Sequence, residues 1–167
     1  MKRWGKVIAA VVLIFGLINL AVGITFVSVG VTKHHFLTST MKEEKITLGI
    51  ADNKIQAGEV IDTMSEAQAA GDIVRGHRHA IAPTYGDLLG GQKYDPTNVK
   101  EATYAQAMNI ENYLYLAAAS FGITYLSMGV GAALILAGLA LAAIGVLVYL
   151  WTRRLFREKA EAAAATA

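Results

Sequence analysis

A mainly α fold, arranged as a membrane-spanning antiparallel helical hairpin with a small, mostly helical extracytoplasmic loop region, is what this sequence predicts. Three observations carry that reading. Two long stretches hold no formal charge, Lys and Arg crowd the outer flank of each, and glycine recurs at one interval inside both. Hydrophobic residues make up 54% of the 167, and mean hydropathy is +0.43. Such values are high for a soluble domain, and the apolar residues lie in two blocks near the ends.

The first block, Val7 to Thr32, is 26 residues long. A helix of about 20 mostly apolar residues crosses the hydrocarbon core. A cleaved signal peptide is the competing reading, because Met1-Lys2-Arg3 resembles a basic leader start. The apolar part of a signal runs only about 7–15 residues, and no convincing small-x-small cleavage site precedes Lys33. A retained first transmembrane helix over 7–32 is therefore expected. The second block, Tyr113 to Trp151, holds 39 uncharged residues, nearly double the need. Its most apolar part sets the second span at 126–151, with the preceding turns continuing as an extramembrane helix over 96–125.

Orientation follows from charge. Lys2, Arg3 and Lys6 precede the first span, and Arg153, Arg154, Arg157 and Lys159 follow the second, against two acids, Glu158 and Glu161. The region between the spans has a net charge of −3. Because Lys and Arg concentrate on the cytoplasmic side, the N-tail 1–6 and C-tail 152–167 face inward. Residues 33–112 are then extracytoplasmic, and a multi-pass plasma-membrane protein is expected. Trp4, Tyr149 and Trp151 would anchor the inner interface.

Gly16, Gly23 and Gly30 recur every seven residues in the first span, and Gly131, Gly138 and Gly145 do so in the second. A seven-residue repeat keeps small side chains on one helix face when the pair winds with a slight left-handed supercoil. Small residues there let backbones approach closely in lipid. Antiparallel pairing predicts Gly30 opposite Gly131, Gly23 opposite Gly138 and Gly16 opposite Gly145; the same faces could instead meet another subunit. Asn19 is the one strongly polar side chain deep in the first span, and an interhelical hydrogen bond is its expected role.

The loop region 33–95 begins with Lys33-His34-His35 and a polar connection to Glu43-Glu44-Lys45. Ile46 to Ile50 reads as a short strand or extended segment, with turns at Asp52-Asn53 and Gly58. Thr63-Met64-Ser65-Glu66 fits a capping box, which predicts a helix over about 64–78 with Ala67, Ala70, Ile73 and Val74 on one face. Thr84 to Asp87 starts a short helical turn that Gly90-Gly91 stops. Asp95-Pro96 predicts the start of a long helix, running to about Phe156. Its outer end must pack on the loop or on a partner, with Tyr104, Met108, Tyr113 and Tyr115 supplying the surface.

Chemistry-bearing patterns are few. His77 and His79, with His34 and His35 and the carboxylates of Asp72 or Asp87, are the candidate metal ligands. A zinc site takes three or four ligands, and two histidines two apart on a helix diverge. The absence of cysteine excludes disulfides and thiolate sites. Glu43-Glu44 are mere sequence neighbours, and no nucleophile motif, GxGxxG or P-loop occurs. No catalytic residue and no cofactor is expected.

Glu44-Lys45-Ile46-Thr47, Ala67-Gln68-Ala69 leading to Ile73 and His77, Thr84-Tyr85-Gly86-Asp87-Leu88 and Ala119-Ser120-Phe121 carry a resemblance. In these short patches the chain resembles a family of small two-pass membrane proteins, mainly from actinobacteria and their relatives, often labelled aromatic ring-opening dioxygenases. The resemblance implies two spans around an extracytoplasmic loop. It implies no activity, since ring opening needs an iron site and the chain offers no matching ligand set. The second histidine in Arg75-Gly76-His77-Arg78-His79 departs from the family pattern.

The function expected is that of a non-catalytic accessory or scaffold subunit of a larger membrane assembly. A metal- or cofactor-handling protein using the outer histidines is one alternative, and a homo-oligomeric membrane protein is another. The expected partners are the lipid bilayer and other membrane subunits or further copies of this chain. Nothing supports nucleic-acid binding.

Overall fold

The computed structural model describes residues 2–48 and 55–165. It is mainly helical, in the order α1 Lys2–Glu44, α2 Met64–Ile81, α3 Tyr85–Leu89 and α4 Val99–Ala165. Two of these, α1 and α4, are long and apolar enough to cross a membrane. The chain divides into two compact units, Met1–Val31 with Leu126–Ala167, and Thr32–Tyr125.

Four expected boundaries move: α4 runs past Phe156 to Ala165, and the other three shift for local reasons. Residues 33–44, read as a polar connection, continue α1. Leu37 and Met41 lie one turn apart and pack into the core of the second unit, and that burial holds the segment helical. The helix ends only where Lys45 takes a positive φ of 50°. Next, α2 runs past Arg78 to Ile81, where Ala82 turns extended because Pro83 disfavours helical backbone in the residue before it. Finally, α4 starts at Val99 instead of Pro96. Residues 95–98 form a turn closed by the Asn98 amide donating to the Asp95 carbonyl at 3.1 Å. The Asn98 side-chain oxygen then accepts from the Lys100 amide at 3.1 Å, so Asn98 rather than Asp95 begins the helix.

Elsewhere the local chemistry acts as its residues dictate. The capping box is present: the Glu66 amide donates to Thr63 Oγ1, and the Thr63 amide donates to Glu66 Oε2. Thr84 caps α3, and Gly90 closes it at a φ of 54° that costs glycine little. Among the described residues, the expected strand or extended segment at Ile46 to Ile50 shows an antiparallel bridge between Thr47 and Val60. Gly49 and Ile50, with the turn at Asp52-Asn53, lie outside the described residues, while Gly58 makes its turn with a φ of 79°.

The core of the second unit joins Met41 of α1, Ala67, Ala70 and Val74 of α2, Leu114, Ala118 and Phe121 of α4, and Ile55 and Ile61 of the connection. Burying each of the larger side chains contributes about 1.5–3 kcal/mol. Cover for the outer part of α4 therefore comes from this chain's own loop region. Of the aromatics expected there, Tyr104 is fully buried, whereas Tyr113 is 72% exposed because it falls on the opposite face.

Candidate functional site

In the first unit, α1 and α4 meet along a seam of small residues. A β-carbon on Gly23 would lie 2.7 Å from the Gly131 carbonyl oxygen, and one on Gly131 would lie 2.7 Å from that of Gly23. Gly16 and Gly138 stand in the same reciprocal relation, at 2.9 and 2.8 Å. Gly145 abuts Ala9 and Leu13, and Gly5 abuts the Thr152 side chain. The paired numbers run in opposite directions, so the helices are antiparallel here. No room remains for any side chain at the central rungs.

These contacts correct the expected pairing. Gly23 meets Gly131 instead of Gly138, and Gly16 meets Gly138 instead of Gly145, a slide of one seven-residue repeat. Ala9 enters as the partner of Gly145, and Gly30 is buried on the same face of α1. A strict seven-residue ladder looks the same after sliding by seven, so glycine spacing cannot choose between the two. One polar contact belongs to the observed arrangement: Ser127 Oγ donates to the Phe26 carbonyl at 2.9 Å. That interhelical bond is the role expected of Asn19, whose amide instead donates to Phe15 of its own helix at 2.9 Å. Ser127 had no distinguishing signal in the sequence, whereas Ala9 and Thr152 simply extend the two ladders.

Trp4, Tyr149 and Trp151 are exposed. Because Gly5 packs on Thr152, Trp4 and Trp151 lie at about the same level of the helix pair.

The histidines do not converge. His34, on α1, sits against Phe121 and Tyr125 at ring distances of 5.4 and 5.3 Å, with Nε2 3.3 Å from the Tyr125 hydroxyl. His35, His77 and His79 are exposed. Asp72 accepts from the Tyr115 hydroxyl at 2.7 Å, and Asp87 accepts from Thr84 Oγ1 in the α3 cap. Among the described residues no group of three or more His, Cys, Asp or Glu is placed to hold a metal ion. The expected ligand set is thus not assembled: His77 and His79 stand two apart on a regular helix, whose side chains at that spacing diverge.

A polar cluster the sequence reading missed lies between α2 and α4. Arg78 donates from Nε to Glu111 Oε2 at 2.6 Å and from its other nitrogens to Glu111 Oε1 and the Tyr104 hydroxyl. Both side chains of the ion pair are nearly buried, at 13% and 9% exposure. The Glu111 hydrogen bond raises the Arg78 guanidinium above its ordinary pKa, against the desolvation that lowers it. One turn away, Tyr115 lies over Gly71 and bonds Asp72. Positions 104, 111 and 118 recur at seven and are all buried. Glu111 therefore sits on the inward face, a signal readable in the spacing. The pair joins this turn of α2 to this turn of α4.

No family model, no curated protein and no solved structure matches this chain.

Proposed function

We propose that the protein is a non-catalytic integral membrane subunit, an accessory or scaffold within a larger plasma-membrane assembly. In this reading residues 7–32 and 126–151 cross the bilayer, both tails are cytoplasmic and the region between the spans lies outside. The observation that carries it is the exposure of the apolar helices. Only 17% of the apolar stretch of α1 and 11% of that of α4 is buried. Phe15, Ile24, Leu136 and Leu147 are each more than half exposed. A helix that is apolar on every side needs an apolar environment all round, and lipid or neighbouring spans supply it. The positive flanks and the resemblance to two-pass proteins point the same way.

The scaffold role rests on what covers those faces. The seam uses one side of each helix, which leaves the opposite sides for lipid or other subunits. Mild-detergent purification of the tagged full chain, with mass spectrometry of co-purifying proteins, tests this. Stoichiometric recovery with subunits of one membrane complex supports the proposal. Recovery as a defined homo-oligomer replaces it with the self-assembling reading, and release of the chain by alkaline carbonate rejects membrane integration altogether.

A further inference from the structure

Lys33 is the first charge after the uncharged run of α1. It edges a groove of about 270 Å³ whose other lining residues are Phe36, Leu37, Ser120, Ile123 and Thr124. The α4 wall of this groove belongs to the long stretch without charge. Lys33 makes no ion pair among the described residues. Its ammonium lies 5.8 Å from the centroid of the Phe36 ring. Ser120 Oγ and Thr124 Oγ1 donate to the Leu116 and Phe121 carbonyls, both at 2.7 Å, so neither hydroxyl offers a proton to a ligand. What the groove presents is one uncompensated cation over a mainly apolar floor, with Phe36 and Ile123 exposed at 61% and 67%.

We propose that this groove seats one anionic phospholipid, its phosphate at the Lys33 ammonium and its glycerol end against Ile123 and Phe36, from which the acyl chains enter the hydrocarbon. The proposal rests on the membrane-spanning reading, which places Lys33 where the first span leaves the hydrocarbon. Charge selects the class of lipid. A zwitterionic headgroup carries its own cation beside the phosphate and gains little from Lys33, whereas an anionic one has no internal partner. A basic side chain near a bilayer surface attracts an acidic headgroup, and the apolar flanks give the attached chain a surface that free phosphate could not use.

Native mass spectrometry of the full chain in detergent, titrated with phosphatidylglycerol or phosphatidylcholine, decides the matter. The expected result is preferential retention of one phosphatidylglycerol, reduced about five-fold in Lys33→Gln, the factor one basic residue supplies at an anionic surface. Ser120→Leu, which fills the groove and keeps the charge, should lose the bound lipid as well, while Lys100→Gln should retain it. Equal retention of both lipids, or undiminished phosphatidylglycerol in both groove variants, overturns the proposal. Helicity by circular dichroism identifies any variant that fails to fold. Carbonate extraction of the wild type separates the two readings: a chain that stays in the membrane without lipid preference defeats only the groove.

Discussion

Gly23 and Gly131 touch backbone to backbone, each occupying the space where the other's side chain would stand. The seam therefore tolerates nothing larger than hydrogen at this rung. Gly23→Leu should separate the helices and cost at least about 3 kcal/mol, at the upper end of overpacking penalties. Gly129→Leu, two residues from Gly131 but with open space around its β-position, should be nearly neutral. Thermal unfolding in detergent, followed by circular dichroism, checks the contrast; equal effects would mean that the seam does not hold the pair together.

The slide of one repeat can be read directly by cross-linking, because the chain has no native cysteine. Ala9→Cys combined with Gly145→Cys should form an intramolecular disulfide under mild oxidation. Ala9→Cys with Thr152→Cys, the pair demanded by the glycine alignment read from sequence, should not. Migration on a non-reducing gel after specific proteolysis distinguishes them.

Arg78 and Glu111 form a nearly buried pair, so removing one partner strands the other. Arg78→Ala should destabilise the second unit by about 3 kcal/mol. The double variant Arg78→Met with Glu111→Leu should recover much of that loss, since no unpaired charge remains. A double-mutant cycle on the unfolding midpoint measures the coupling, and additive effects would deny the pair any role beyond its separate members.

Gly71 faces the Tyr115 ring, where an added β-carbon would lie 2.8 Å from Cε1. Gly71→Ala gains helix propensity but forces the ring aside, along with its bond to Asp72. A net loss of about 1–2 kcal/mol is expected. Gly76→Ala, on the same helix with open space at its β-position, should instead gain about 0.5–1 kcal/mol.

At the start of α4, the side-chain and backbone hydrogen bonds from Thr97 hold the Asp95 carboxyl below the ordinary aspartate range. A depressed pKa means that the folded turn favours the ionised form. Its contribution is complete above the ordinary aspartate value of 3.8 and disappears as pH falls through the lower folded value. The Thr97 amide resonance should report that loss in acid and stay flat in Asp95→Asn.

Much of the fold was legible because its signals are local. Thr63 and Glu66 specify a cap within four residues, Thr84 and Gly90 bracket a single turn, and an uncharged run long enough to span lipid needs no tertiary context to be recognised. The extension of α1 through His34 and His35 was not legible. Only Leu37 and Met41 mark it, and two apolar residues do not make a period until the surface they pack against is known. The metal candidates failed for a related reason: residue type was visible, but relative position was not.

Sequence by itself determined the caps of α2 and α3, the two long apolar stretches and the existence of a small-residue face on each, because covalent spacing and residue chemistry act over one or two turns. Tertiary structure alone decided which glycine meets which, that Ser127 and not Asn19 bridges the helices, and that Arg78 finds Glu111. Each of those pairings joins positions 33 or more residues apart. A seven-residue ladder has several alignments with similar small-residue contacts, and only the packing of whole helices selects one.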